Sequence, residues 1–321
     1  MSAPANPRGN GTPGWTQRRP FRLVIGATIV LCSLGVLAFL LFRNWATLTA
    51  HRWRIDYAWL GLTLVLNLCA YLVAIAGWHS IVERLAGAND LRLNARIYCY
   101  GAAAGRLPGV AWDIATRVVL YGNAGVSRAM VGVGSVLELI LIALSGVVLY
   151  LFLMPFTLAD AMRPGLWPVL GALGAGVVLT HPRMVTFVVR RARRDALPLS
   201  LRYRDTLTWL FVYVWTWVTS GLTLYATIRS ISPLASGHGL QVLADWTLVG
   251  VLTSFITFVP SSLGLKELSL TLLLSRYIPE YVAVVAVILM RMLTIGYSVL
   301  WTLCASRLAG PADSGAHGGS V

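Results

Sequence analysis

The sequence predicts an all-α, polytopic integral membrane protein with about six full spans and two Pro/Gly-broken re-entrant helix pairs. Three observations carry that prediction. Apolar runs of the roughly 20 residues needed to cross a bilayer recur along the chain. Only 12% of the 321 residues are charged, against 57% hydrophobic, about half the charged fraction of a soluble domain. The basic excess, a formal +14, gathers as arginine in short segments between the apolar runs, the pattern that orients helices in a membrane. A charge of that size can also signal nucleic acid, but its placement in inter-span loops argues against such a partner.

Taken in order, residues 1–22 are rich in Pro, Gly and Asn and predict a disordered cytoplasmic tail. The run at 23–42 is longer than a signal-peptide core and has no small-residue cleavage site after it, so it reads as a retained first span. Further spans are predicted at 57–77, 126–152, 165–180, 207–230 and 281–304, and a second disordered tail at 306–321. Two apolar regions are interrupted: 97–121 by GRLPG and 241–277 by VPSSLG. Proline ends a helix by removing a donor and clashing with the preceding turn. Irregular backbone survives at membrane depth only inside protein or beside a watery cavity. Both regions therefore read as broken or re-entrant helices.

The loop 181–206 carries Arg183, Arg190, Arg191, Arg193, Arg194, Arg202 and Arg204 against Asp195 and Asp205, which places it in the cytoplasm. The N-terminus is then also expected inside, and the predicted location is a bacterial cytoplasmic (inner) membrane, crossed several times. One loop runs against the rule, with Arg43, Arg52 and Arg54 facing outward. The same topology exposes a repeat within a single membrane transport domain at 23–305. After Pro108 come a short helix, Gly125 and a span carrying Glu138. After Pro260 come a short helix, Pro279 and a span carrying Arg291. Repeat one, about 57–180, enters its break from the inside and repeat two, about 207–304, from the outside. That is an inverted repeat, a plan common among transporters.

Charges inside a bilayer cost roughly 2.5–3.5 kcal/mol each on the insertion scale, yet several flank the two breaks. The first has Arg106, Asp113, Arg117 and Glu138 around Pro108 and Gly109. The second has Lys266, Glu267 and Arg291 beside Pro260 and Gly264, and Lys266 is the only lysine in the chain. A helix beginning after each break offers unpaired N–H groups and a positive dipole end, which suit phosphate or carboxylate. These eleven residues form the predicted substrate-binding set for an anionic headgroup. Two internal pairings stay open beside it: Glu138 with Arg291 across the repeat, and Asp113 with Arg117 one helical turn apart. Trp53, Tyr57, Trp209 and Trp301 read as interfacial anchors. Cys32, Cys69, Cys99 and Cys304 stand singly, and the five histidines form no ligand motif, so neither a metal nor another cofactor is expected. No Walker A, H-E-x-x-H or G-x-S-x-G motif is present, and no catalytic residue is assigned.

GRLPGVAWDIATRVVLYGNAGVSRAMVGVGSVLE resembles the first conserved block of the lysylphosphatidylglycerol synthase transmembrane-region family, and VPSSLGLKELSLTLLLSRYIPEYVAVVAVILMR the second. The resemblance covers roughly 57–304. GRLPG is one residue shorter than the usual form, and SSLG stands where a Gly-Gly-containing turn is usual, which leaves the headgroup open. The resemblance implies a stand-alone flippase or transporter, without the aminoacyl-transfer domain and hence not an enzyme. Its substrate would be an anionic phospholipid or a lipid-linked polyprenyl, glycolipid or hopanoid compound. The alternatives are a membrane transferase acting on a lipid-linked substrate, or a scaffold for a lipid-modifying synthase or glycosyltransferase.

Overall fold

The computed structural model describes residues 45–51, 53–106, 111–157, 202–234, 236–256 and 264–307, with isolated positions among 35–43 and 174–187. Regular structure among the described residues is helical throughout: α1 Trp45–Ala50, α2 Tyr57–Ala86, α3 Leu91–Ala104, α4 Trp112–Asn123, α5 Arg128–Thr157, α6 Tyr203–Ile231, α7 Gly239–Ile256, α8 Leu265–Leu274 and α9 Glu280–Arg307. Four of these, α2, α5, α6 and α9, are long and apolar enough to cross a membrane. Exposed apolar side chains such as Leu68, Phe152, Phe211 and Val299 clothe their outer faces, as lipid-facing helices require. Most of the predicted spans at 23–42 and 165–180, the N-terminal tail, residues 308–321, and Pro108, Gly109 and Pro260 lie outside the described residues, while Ser306 and Arg307, placed in the second tail from the sequence, continue α9.

Local chemistry sets the helix ends. Asp56 Oδ1 accepts from the N–H groups of Ala58 and Trp59 at 3.0 and 3.3 Å, an N-cap that starts α2. Gly87, at φ 70°, ends that helix in the left-handed conformation open to glycine. The predicted span at 57–77 thus continues to Ala86, because no breaker intervenes before Gly87. Asp90 Oδ1 caps α3 in the same way. The two interrupted regions divide as expected, into α3 and α4 and into α7 and α8. α8 begins after Gly264 at φ 90°, whereas α4 begins after Ala111 at φ 61°, a conformation costing a residue with a Cβ about 1 kcal/mol.

The order long, medium, short, long occurs twice, as α2–α5 and as α6–α9, and cross-contacts between these units repeat the relation. α2 and α6 lie antiparallel along their full length. The Asp56 N–H donates to the Ser230 carbonyl at 2.8 Å and Arg229 stacks on Trp59 at one end. At the other end the Trp209 indole donates to Ser80 Oγ at 2.9 Å and Arg84 pairs with Asp205 at 3.4 Å. The second helix of each unit packs antiparallel on the fourth helix of the other. Cys99 of α3 meets Ala305 of α9, with Arg106 reaching back to Ser298. Leu149 and Leu153 of α5 meet Leu243 and Ala244 of α7, with Gly146 against Val251.

Small residues allow this close approach, as they commonly do between membrane helices. The Trp217 ring lies over both Gly146 and Gly250, where a Cβ would collide with it, while its indole donates to the Ile142 carbonyl at 3.0 Å. Gly250→Val should therefore destabilise the protein by about 1–3 kcal/mol through overpacking, read as a lower midpoint in thermal unfolding of the detergent-solubilised protein. Trp209 departs from its expected interfacial place. It is buried between α2 and α6, because the indole N–H finds its partner, Ser80, on the neighbouring helix.

Candidate functional site

A cavity of about 110 Å³ lies where the end of α3 meets α7, α8 and α9. Four of the predicted residues line it: Arg106, Lys266, Glu267 and Arg291. Trp246, Leu270, Met290 and Thr294 contribute to the remaining wall. The α8 break brings Lys266 and Glu267 into the first turn of a new helix, so two neighbouring charges face protein and cavity where a continuous span would turn one towards lipid.

Each charged group has a distinct setting. Glu267 uses both oxygens: Oε2 accepts the Gly264 N–H at 2.8 Å and Oε1 accepts Arg291 Nη1 at 2.8 Å. The expectation that the N-terminus of this helix would hold a ligand anion is corrected here at Gly264, because the chain's own carboxylate already occupies that N–H. Arg106 donates through Nε to the neutral hydroxyl of Ser298. The Lys266 ammonium lies 4.0 Å from the centroid of the Trp246 ring, a cation–π contact, and makes no ion pair among the described residues. Trp246 is held in turn by a 3.0 Å hydrogen bond from its indole to Ser220 Oγ. The cavity wall thus carries three cations and one carboxylate. In a medium of low dielectric such an excess attracts an anion far more strongly than in water.

Arg117 and Glu138 are not brought to this cavity. They form an ion pair between α4 and α5, with side chains 6% exposed each, and the Tyr213 hydroxyl donates to Glu138 Oε1 at 3.1 Å. Arg117 is sandwiched between Trp78 and Tyr98, its guanidinium carbon 4.2 and 4.8 Å from their ring centroids. It also lies against Gly101, where a Cβ would come within 2.9 Å of it. Hydrogen bonds from Trp78 Nε1 to Tyr121 Oη at 3.0 Å, and from Tyr121 to Asn94 Oδ1 at 2.7 Å, tie this packing to α3. Both open pairings resolve differently from the two foreseen. Glu138 and Arg291 do not meet, since each takes a partner from the short helix of its own unit, and Arg117 turns to Glu138 and not to Asp113. Asp113 sits in the first turn of α4, beside Gly105, outside the cavity lining.

Sequence reasoning missed Trp246, Tyr213 and the aromatic faces around Arg117. Trp246 follows Asp245 in the middle of an apolar helix, away from the span ends where tryptophan anchors a membrane protein, and that position is the signal that could have singled it out. Asp245 itself takes a hydrogen bond from the Tyr277 hydroxyl at 2.9 Å and is not part of the cavity wall. Among the described residues no group of three His, Cys, Asp or Glu side chains converges as metal ligands would. The arrangement is suited to holding an anion. No protein-family model matches the chain, and no curated protein is significantly similar to it.

Proposed function

We propose that this membrane protein binds the anionic headgroup of a lipid in the cavity of Arg106, Lys266 and Arg291 and carries it across the bacterial inner membrane as a flippase. The observation that carries the reading is the cation excess in that cavity. Among the described residues Lys266 faces an aromatic ring and Arg106 a hydroxyl, with no ion pair at either, so both can engage a headgroup. Arg291 would contribute its remaining donors while Glu267 holds its orientation. The acyl or prenyl tails stay in lipid. The antiparallel packing of the two units supports an inverted repeat, in which rocking of one unit against the other changes the side to which the cavity opens. The resemblance to the lysylphosphatidylglycerol synthase transmembrane region agrees with lipid movement, and the arginine-rich loop agrees with a cytoplasmic N-terminus.

The test is translocation of fluorescent anionic lipids in proteoliposomes. Wild-type protein should move such a lipid, and Lys266→Gln and Arg106→Gln should each slow it at least about tenfold, the loss of one charge contact in a desolvated site. Neither residue belongs to a carboxylate pair among the described residues, so both variants should stay folded and monodisperse. Unchanged rates in two folded variants would overturn the assignment.

A further inference from the structure

The charge balance of the cavity narrows the class of headgroup. Arg106, Lys266 and Arg291 supply three positive charges and Glu267 one negative. Glu267 is fully engaged by Arg291 and the Gly264 N–H, Arg106 by a neutral hydroxyl and Lys266 by an aromatic ring. The flanking segments 107–110 and 257–263 contain no charged residue, and Asp113 and Asp245 stand outside the wall. Among the described residues two positive charges therefore remain without a compensating carboxylate in the cavity wall, where unbalanced charge is costly.

Resting on the proposed headgroup binding, we infer that the cavity is matched to a lipid-borne phosphate monoester in its dianionic form. A phosphomonoester carries about −1.5 to −2 at neutral pH, with a second pKa near about 6, and presents three strong acceptor oxygens. It offers one acceptor oxygen to each of Arg106, Lys266 and Arg291 and cancels the excess. A phosphodiester such as phosphatidylglycerol brings one negative charge and leaves one cation unbalanced. A phosphocholine headgroup brings a cation of its own, and a lysylated phosphatidylglycerol, with two ammonium groups against one phosphate, is net positive and meets repulsion. A cavity of about 110 Å³ has room for several waters, and hence for the phosphate oxygens that replace them.

Competitive lipid retention tests the inference. Purified full-length protein in detergent is given an equimolar mixture of dioleoylphosphatidic acid, dioleoylphosphatidylglycerol and dioleoylphosphatidylcholine, and the retained lipids are quantified by mass spectrometry. The expected result at pH about 7 is retention of phosphatidic acid at least about tenfold over phosphatidylglycerol. That preference should shrink towards parity at pH about 5, as the monoester loses its second charge. The pH series on the wild type reports on the ligand's charge and does not depend on any variant folding. In folded Lys266→Gln the preference should fall below about twofold at both pH values, because the cavity excess is then one. Equal retention of the two anionic lipids at pH about 7, both above phosphatidylcholine, overturns the dianion inference and leaves the anionic-headgroup reading standing. Equal retention of all three overturns both. Displacement of phosphatidic acid by glycerol 3-phosphate at similar concentration overturns the lipid-borne source and assigns the cavity to a soluble phosphate ester.

Discussion

Glu138→Gln is expected to cost about 3–5 kcal/mol of folding stability, the range seen when one partner of a buried pair is removed. The reason lies in what stays behind. Arg117 is enclosed by Trp78, Tyr98 and Gly101, its Nε has no hydrogen-bond partner, and the side chain is 6% exposed. It cannot reach water without opening the contact between α3 and α4. With Glu138 neutral, the guanidinium stays charged, since arginine does not deprotonate in proteins, and among the described residues it keeps the two aromatic faces and the charge of Asp113, with which it makes no ion pair. The measurement is chemical or thermal unfolding in a fixed detergent, with expression in membranes as a second readout. The double variant Arg117→Met, Glu138→Leu should recover most of the loss, because replacing a buried pair by apolar groups of similar volume is commonly neutral. Tyr213→Phe removes one hydrogen bond to the charged oxygen and should cost about 1.5–3 kcal/mol. A Glu138→Gln protein as stable as wild type would mean that the pair is not closed off from water.

The second large effect concerns Glu267, and here stability and binding should move in opposite directions. Glu267→Gln removes the single negative charge of the cavity and weakens the Gly264 cap at once. Arg291 is 31% exposed in its side chain, so solvent screens part of the loss. The expected destabilisation is about 1–3 kcal/mol. The remaining folded protein has one more uncompensated positive charge and should retain anionic lipid more tightly than wild type, by several-fold. Lys266→Gln is its counterpart. It relieves repulsion among the three cations, so stability should hold or rise slightly while lipid retention falls. Unfolding midpoints and lipid retention on the same two preparations check the crossing. If both properties fall together in Glu267→Gln, the carboxylate would be a ligand-contacting group and not a counter-charge.

Much of this organisation is legible in the chain itself. Pro108 and Pro260, with the glycines beside them, mark both interruptions because proline cannot continue a helix, and the apolar runs place the long helices to within a few residues except at Ala86. The gathering of Arg106, Lys266, Glu267 and Arg291 was also foreseeable, since charges in an apolar chain have few tolerable places. The pairing was not. Arg117 and Glu138 are 21 residues apart, and whether α4 presents Arg117 to α5 or to the lipid depends on the rotation of a short helix that starts after Ala111 at φ 61°. Periodicity fixes the face of a helix but not which neighbour that face meets. The aromatic contacts were hidden for a similar reason. Trp246 and Lys266 lie on different helices, and no spacing rule connects residues across a break.

The two units hold their short helices by ion pairs of opposite sense: cation on α4 and anion on α5 in one, anion on α8 and cation on α9 in the other. This has a consequence for assembly. Helices inserted into a bilayer find their neighbours by lateral encounter, and two units of like design offer each short helix a wrong dock as well as a right one. A misplaced α4 would set Arg117 against Arg291, and a misplaced α8 would set Glu267 against Glu138. Both errors bring like charges together at largely buried positions, and like-charge juxtaposition of that kind is costly. The reversal of sign therefore acts as an address, telling each short helix which half of the protein it belongs to while the chain is still arranging itself in the membrane.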